Sequence, residues 1–266
     1  MKKVIRIVLM CVLLFPLTVQ ALVIKTSLEA VQALGHEMSE MRHMLEIYAM
    51  IGTGVSFRLP KEQMKTSITL YEDVITQIEK SFHDKEIKQQ ILISHNGWTP
   101  VKKALETSLL DTRLASDRMK KEAIYIHGHI RKVIKAMEAM KEHLLSKTKF
   151  KAIKELNAAI EIDASSRRLS AHYAMWMWDL DDQTIEAHWQ KGVKIYASSL
   201  ALLEASTFVS DPVFKKALIC VRQQLKIFLM MHDAASRKVF TPALIQIRSE
   251  KACNAAIKMI KVILKP

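Results

Sequence analysis

Between Arg113 and Leu180 the chain has one glycine, Gly128, and no proline. If helical throughout, these 68 residues would span roughly 100 Å at 1.5 Å per residue. The scarcity is general: Gly and Pro number 6 each, 12 of 266 residues, where average usage would be roughly 12%. Sandwiches, barrels and multi-strand α/β folds need a breaker at nearly every connection. The chain is therefore expected to be all-α. Phosphate-cradling glycine loops are missing for the same reason, with neither GxGxxG nor GxxxxGK[ST] present. Hydrophobic residues at 50% and charged residues at 25% fit an ordinary globular chain of one or two domains.

Residues 1–21 read as an address. Met1-Lys2-Lys3-Val4-Ile5-Arg6 is a basic start, Ile7 to Leu17 is apolar apart from Pro16, and Val19-Gln20-Ala21 resembles a small-residue cleavage site. This is the layout of a secretory signal peptide, and the apolar run is shorter than the ~20 residues of a membrane span. Cleavage after Ala21 would remove Cys11 and leave a periplasmic protein. Losing Lys2, Lys3 and Arg6 takes the formal charge from +13 to +10. A basic exported protein meets anionic lipids, acidic polymers or small anions. No nucleic-acid partner is expected, since the lysines are dispersed and export removes the chain from the cytoplasm.

The remainder reads as a duplication. At an offset of 125 residues, Arg42 falls on Arg167, Tyr48-Ala49-Met50 on Tyr173-Ala174-Met175, Tyr71 on Tyr196, Glu79 on Glu204 and Ser81 on Ser206. The two halves are residues 22–147 and 148–266. Each carries four helix patterns. The first opens with a capping box, Thr26-Ser27-Leu28-Glu29, and continues as a stripe of Leu34, Met38, Met41 and Leu45. Pro60 suits the first turn of the second helix, Asp84 caps a third carrying Gly97 and Pro100, and Asp111-Thr112 starts the fourth. In the second half, helices are expected over 149–180 and 184–206, with further starts at Asp211-Pro212 and Thr241-Pro242. With so few breakers, the fourth helix is expected to run, with at most a bend near Ser146-Thr148, into the fifth. Two four-helix bundles would then be joined end to end by a long helix.

No catalytic constellation stands out: HExxH, CxxC and GxSxG are all missing. No enzyme activity and no cofactor are expected. Met38, Met41, His43 and Met44 offer thioethers and an imidazole suited to copper, although the same spacing is a helix face in which Met fills a core. Glu40 and His43 have ExxH spacing, but a di-metal bundle site needs two such pairs. His127 and His129 stand two apart and so face different sides of a helix. Cys220 and Cys253, 33 residues apart on expected neighbouring helices, are candidates for a disulfide in an oxidising compartment. Arg42 and Arg167 share one register, and a guanidinium is a rigid fork of donors for planar or tetrahedral anions.

The segment Ala164-Ser165-Ser166-Arg167-Arg168-Leu169-Ser170-Ala171-His172-Tyr173-Ala174-Met175 resembles the first-helix motif of the type IV pili methyl-accepting chemotaxis transducer N-terminal domain family (PilJ-type), approximately A-G-R-Q-R-M-L-S-Q-R. Ser39-Glu40-Met41-Arg42-His43-Met44-Leu45 is a more degenerate copy, and the Tyr71 and Trp98 helices are similar to later segments of the family. The resemblance implies an exported helical sensory domain, in whose relatives first-helix arginines contact a small anion. The family's second motif arginine falls on Arg167 and, through the repeat, on Arg42. Its last arginine falls on His172 and Ile47, and its first on Ser165 and Glu40.

The expected ligand site is therefore Arg167 and Arg42, with Arg168 and His172 as helpers, holding a small anion or polar metabolite. Receptors of this kind continue into a membrane helix and a signalling region. This chain is expected instead to hand its state to an envelope or transducer protein. In end-to-end bundles Arg42 and Arg167 could share a site only through a homodimer. Two other readings compete: a scaffold of the cell envelope, and periplasmic copper handling.

Overall fold

A computed structural model describes residues 24–110, 117–235 and 241–265. Every regular element among them is helical: α1 (Ser27–Gly52), α2 (Pro60–Ser81), α3 (Lys85–Leu110), α4 (Asp117–Lys147), α5 (Ile153–Met177), α6 (Thr184–Glu204), a 3-10 turn (Thr207–Ser210), α7 (Pro212–Ala235) and α8 (Pro242–Ile263). The expected leader and the Asp111-Thr112 helix start lie outside the described residues. Among the described residues no helix is long and apolar enough to cross a membrane.

Several helix starts follow from their cap chemistry. Thr26 Oγ1 accepts from Glu29 N at 3.2 Å, while Glu29 Oε2 accepts from Thr26 N at 2.9 Å, so two free amides are satisfied reciprocally. Asp211 Oδ1 accepts from Val213 N at 2.8 Å and Phe214 N at 3.0 Å. Thr241 makes no capping bond; its hydroxyl lies 3.3 Å from Tyr173 Oη instead. Pro100 is accommodated inside α3.

The long continuous helix is corrected. Helix α4 stops at Lys147 and α5 begins at Ile153, with a turn between them. Neither glycine nor proline is needed there, because Thr148 Oγ1 accepts from Phe150 N at 3.3 Å, the local bond by which a hydroxyl stands in for turn residues. Helices α4 and α5 then run antiparallel, with Lys141 Nζ bonded to Glu161 Oε1 at 2.8 Å near one end. At the other end the rings of His127 and His172 lie 5.2 Å apart. The halves are therefore folded back alongside each other rather than strung end to end.

At the centre, α1 and α5 lie in parallel. Their partners rise together in number: Gly35 meets Ile160, Ser39 Oγ donates to the Asp163 carbonyl, Ser170 Oγ donates to Glu46 Oε1 at 2.5 Å, and Tyr48 packs on Trp178. Contact is close at Gly35, where a Cβ would stand 2.4 Å from Ile160 Cγ2. Helix α1 packs on α2, α4 and α5; helix α5 packs on α6, α8 and α1; α3 covers α4 and α7 covers α8. Exchanging α1–α4 with α5–α8 preserves this scheme, as a half-turn about the α1–α5 seam would.

The two central helices are enclosed on all sides. Every residue from Ile162 to Met175 is buried, as is every residue from Glu37 to Gly52 except Glu40. Helices buried all round are ordinarily apolar. These two instead enclose Glu37, Arg42, His43, Glu46, Asp163, Arg167, Arg168 and His172. Met38, Met41 and Met44 belong to the hydrophobic core.

The disulfide is also corrected, since Cys220 and Cys253 are free thiols. Both lie on neighbouring helices as expected, but they address different backbones. Cys220 Sγ points to the Lys251 carbonyl on α8 and Cys253 Sγ to the Asp163 carbonyl on α5, each at 3.8 Å.

Candidate functional site: two clefts flanking a central helix pair

A cleft opens on each side of the α1–α5 seam. The first, walled by α1, α4, α5 and α6, holds about 90 Å³ and is strongly basic. Arg42, Arg131, Lys135, Arg168 and Lys191 line it, with Glu138 as its one lining carboxylate. Of the four expected ligand residues it gathers three: Arg42, Arg168 and His172. The fourth, Arg167, lines the cleft on the other side. Both placements follow from helix geometry. A half-turn about the seam sends Arg42 to the position of Arg167 on the opposite side. One residue further, about 100° around a helix of 3.6 residues per turn, Arg168 swings back toward Arg42.

The guanidiniums in the basic cleft are only partly compensated, by the charges of Glu161 and Glu138. Arg42 is buried; its Nη1 donates to the Met38 carbonyl of its own helix at 3.1 Å, and its Nη2 is 3.9 Å from Glu138. Burial and then the charge of Arg168 bring the Arg42 pKa down to about 9, which leaves it protonated at neutral pH. Arg168 is lowered by burial as well, and its Nη1 is enclosed without a hydrogen-bond partner. Its stem passes over Gly192 of α6, where a Cβ would stand 3.1 Å from Arg168 Cδ.

Three histidines complete the wall. The rings of His127, His172 and His188 stand 5.2 to 5.6 Å apart. His172 Nδ1 is 2.7 Å from the Arg168 carbonyl. A carbonyl can only accept, so that nitrogen carries the proton. Nε2 is then a lone-pair acceptor, buried and without a partner. His127 Nδ1 lies 2.9 Å from Asp182 Oδ2. Burial drives His172 well below the usual imidazole range; burial and then Arg131 bring His188 to about 4. His127 is also lowered by burial, against the pull of Asp182. All three are neutral at pH 7. Among the described residues no group of three or more His, Cys, Asp or Glu is arranged to hold a metal ion.

The opposite cleft is larger, about 530 Å³, and of mixed sign. Arg167 lies beside Glu46, with Nη1 3.5 Å from Oε2. Burial would push the fully enclosed Glu46 carboxyl up, but His43 at 3.1 Å, Arg167 and Ser170 outweigh it and hold it below the usual range. Glu40 and His43, the ExxH pair, both line this cleft. The would-be copper set is thus divided, with the three thioethers in the core and the imidazole facing the cleft.

His127, His188, Arg131, Lys135 and Lys191 were not anticipated as site residues. They come from α4 and α6, and His127 is 55 residues from its partner Asp182. Only the His127-Gly128-His129 pattern signalled any of them; His127 points into the cleft while His129 is exposed and bonds to Tyr125 of its own helix.

No family model matches the chain, and no curated protein or solved structure is detectably similar to it.

Proposed function

We propose that this is a non-enzymatic ligand-binding protein whose basic cleft holds a small oxyanion between Arg42 and Arg168. The observation that carries the reading is the convergence of these two buried, like-charged side chains from the two central helices. Buried charges short of partners are costly, and five lining cations against Glu138 and the nearby Glu161, which also answers Lys141, leave the cleft short of negative charge. An anion supplies it. A cavity of about 90 Å³ suits an ion of a few heavy atoms. The orphaned lone pair of His172 Nε2 adds a condition: the anion brings a proton, either its own or one taken up by the imidazole.

The resemblance of the first helices to the PilJ-type motif supports a sensory role, with the bound state passed to an envelope or transducer partner. The basic, then apolar, then small-residue start supports export to the periplasm. We also read the two quartets of helices as copies of one ancestral unit, on the strength of the constant offset of 125 residues and the matching neighbour scheme.

Thermal unfolding against nitrate, phosphate, sulfate, bicarbonate and acetate at fixed ionic strength tests the reading. A ligand at 100 times its Kd stabilises by about 2.7 kcal/mol, a rise of several degrees for a chain of this size. Arg168→Met keeps the stem over Gly192 but deletes the charge. It should abolish the response and raise ligand-free stability by about 1 kcal/mol, since an uncompensated buried charge is gone. No response to any of these anions, or an undiminished response in Arg168→Met, overturns the reading.

A further inference from the structure

The larger cleft carries a different chemistry from the basic one. On its inner wall is Arg167, only 8% exposed. Its Nε has no hydrogen-bond partner, and its Nη1 faces Glu46 without bonding to it. Four carboxylates line the same space, two of them on the central helices. Glu40 of α1 engages one oxygen with the Ser67 hydroxyl at 2.9 Å, and Asp163 of α5 faces the half-exposed ring of His36 at 3.9 Å. At the rim Arg58 pairs with Glu250 of α8. Arg58 and Leu59 are consecutive non-glycine residues at φ 57° and 53°, a left-handed conformation that a Cβ disfavours.

The charges select among ligand classes. A simple anion drawn to Arg167 would also meet four lining carboxylates, Glu40, Glu62, Asp163 and Glu250. A simple cation drawn to those would meet Arg167, Arg58 and His36, whose imidazole Asp163 raises to about 9. A dipolar molecule, anionic at one end and cationic at the other, satisfies both. We propose that this cleft binds a free α-amino acid, with its carboxylate on Arg167 and its ammonium toward Glu40 and Asp163. The volume of about 530 Å³ leaves room for the side chain, which the basic cleft could not accommodate.

The test is calorimetric titration of the whole protein with the common α-amino acids. For each one that binds, the matching amine without the carboxylate and the matching acid without the amine are titrated as well. At least one amino acid should bind, and both truncated analogues should be weaker by about tenfold or more, each having lost one charge-assisted contact. Glu40→Gln should weaken the amino acid about tenfold while leaving the response of the basic cleft to inorganic anions unchanged; Arg168→Met should do the reverse. Arg167→Gln should abolish binding, and where that variant unfolds, Glu40→Gln on the rim of α1 decides alone. Failure of every amino acid to bind, equal binding of the truncated analogues, or wild-type affinity in Glu40→Gln overturns the proposal.

Discussion

Arg42 of α1 and Arg168 of α5 face one another across a single cleft, although Arg168 is one residue out of register with the repeat. The residue that does match Arg42, Arg167, opens on the far side of the seam. One helix turn thus supplies two neighbouring arginines to two different sites. The Arg168 side is predominantly cationic; on the other, the guanidinium is balanced by carboxylates.

The histidine wall makes stability fall with acidification. In the unfolded chain these imidazoles titrate near pH 6.5, whereas folded His188 is brought down to about 4 and burial drives His172 well below its usual range. Below about pH 6.5 the unfolded state therefore binds protons first, and stability declines as pH falls toward 4. The slope is at most about 1.4 kcal/mol per pH unit per histidine. Glu37, which burial raises to about 8, contributes with the opposite sign in this window, so the histidine share is read as the difference between wild type and His172→Gln in urea unfolding at pH 7 and pH 5, with wild type losing more on acidification. In the same interval anion affinity should increase, because the bound ion favours the protonated imidazole. A stability profile unchanged between wild type and His172→Gln would contradict this account.

Glu46 should be the most sensitive carboxylate in the molecule. It is fully buried and answers His43, Arg167 and Ser170 together. Glu46→Gln removes the charge while leaving Arg167 enclosed, and breaking a buried pair from one side costs about 3–5 kcal/mol. Denaturant midpoints should register that loss. A cost below about 1 kcal/mol would mean that Arg167 finds its compensation elsewhere.

Two helical glycines should respond oppositely to alanine. At Gly128 nothing lies within 4 Å of an added Cβ, so Gly128→Ala should stabilise α4 by about 0.5–1 kcal/mol through helix propensity. At Gly35 the same Cβ would stand 2.4 Å from Ile160 Cγ2. Ile is branched at Cβ and stiff, so the α1–α5 seam must open. Overpacking of this kind costs about 1–3 kcal/mol, more than the propensity gain. Melting temperatures of the two variants should move in opposite directions, and a stabilised Gly35→Ala would show that the seam is looser than its spacing implies.

Much of this architecture was legible in the residues. Thr26 with Glu29, Pro60 and Asp211 mark helix starts through chemistry confined to one turn, and the offset linking Tyr71 to Tyr196 pairs α2 with α6, which hold equivalent places in the packing scheme. Ser146-Thr148 marked a bend, but the full reversal there was hidden because a hydroxyl performs it in place of a glycine. The Cys220 and Cys253 helices are neighbours, as their spacing implied, but the direction of each thiol depends on rotation about the helix axis, which spacing does not encode. Arg42, Arg168 and His172 were recognisable as candidates from the first-helix pattern. Their separation from Arg167, and their union with His127 and His188, depends on which helices become neighbours across the seam.

The parallel pairing of α1 with α5 has a mechanical consequence. Both clefts borrow walls from both halves of the chain, and they lie on opposite flanks of one shared axis. Cutting the chain between Lys147 and Ile153 and parting the two quartets would therefore dismantle both clefts at once, since neither quartet encloses either one alone.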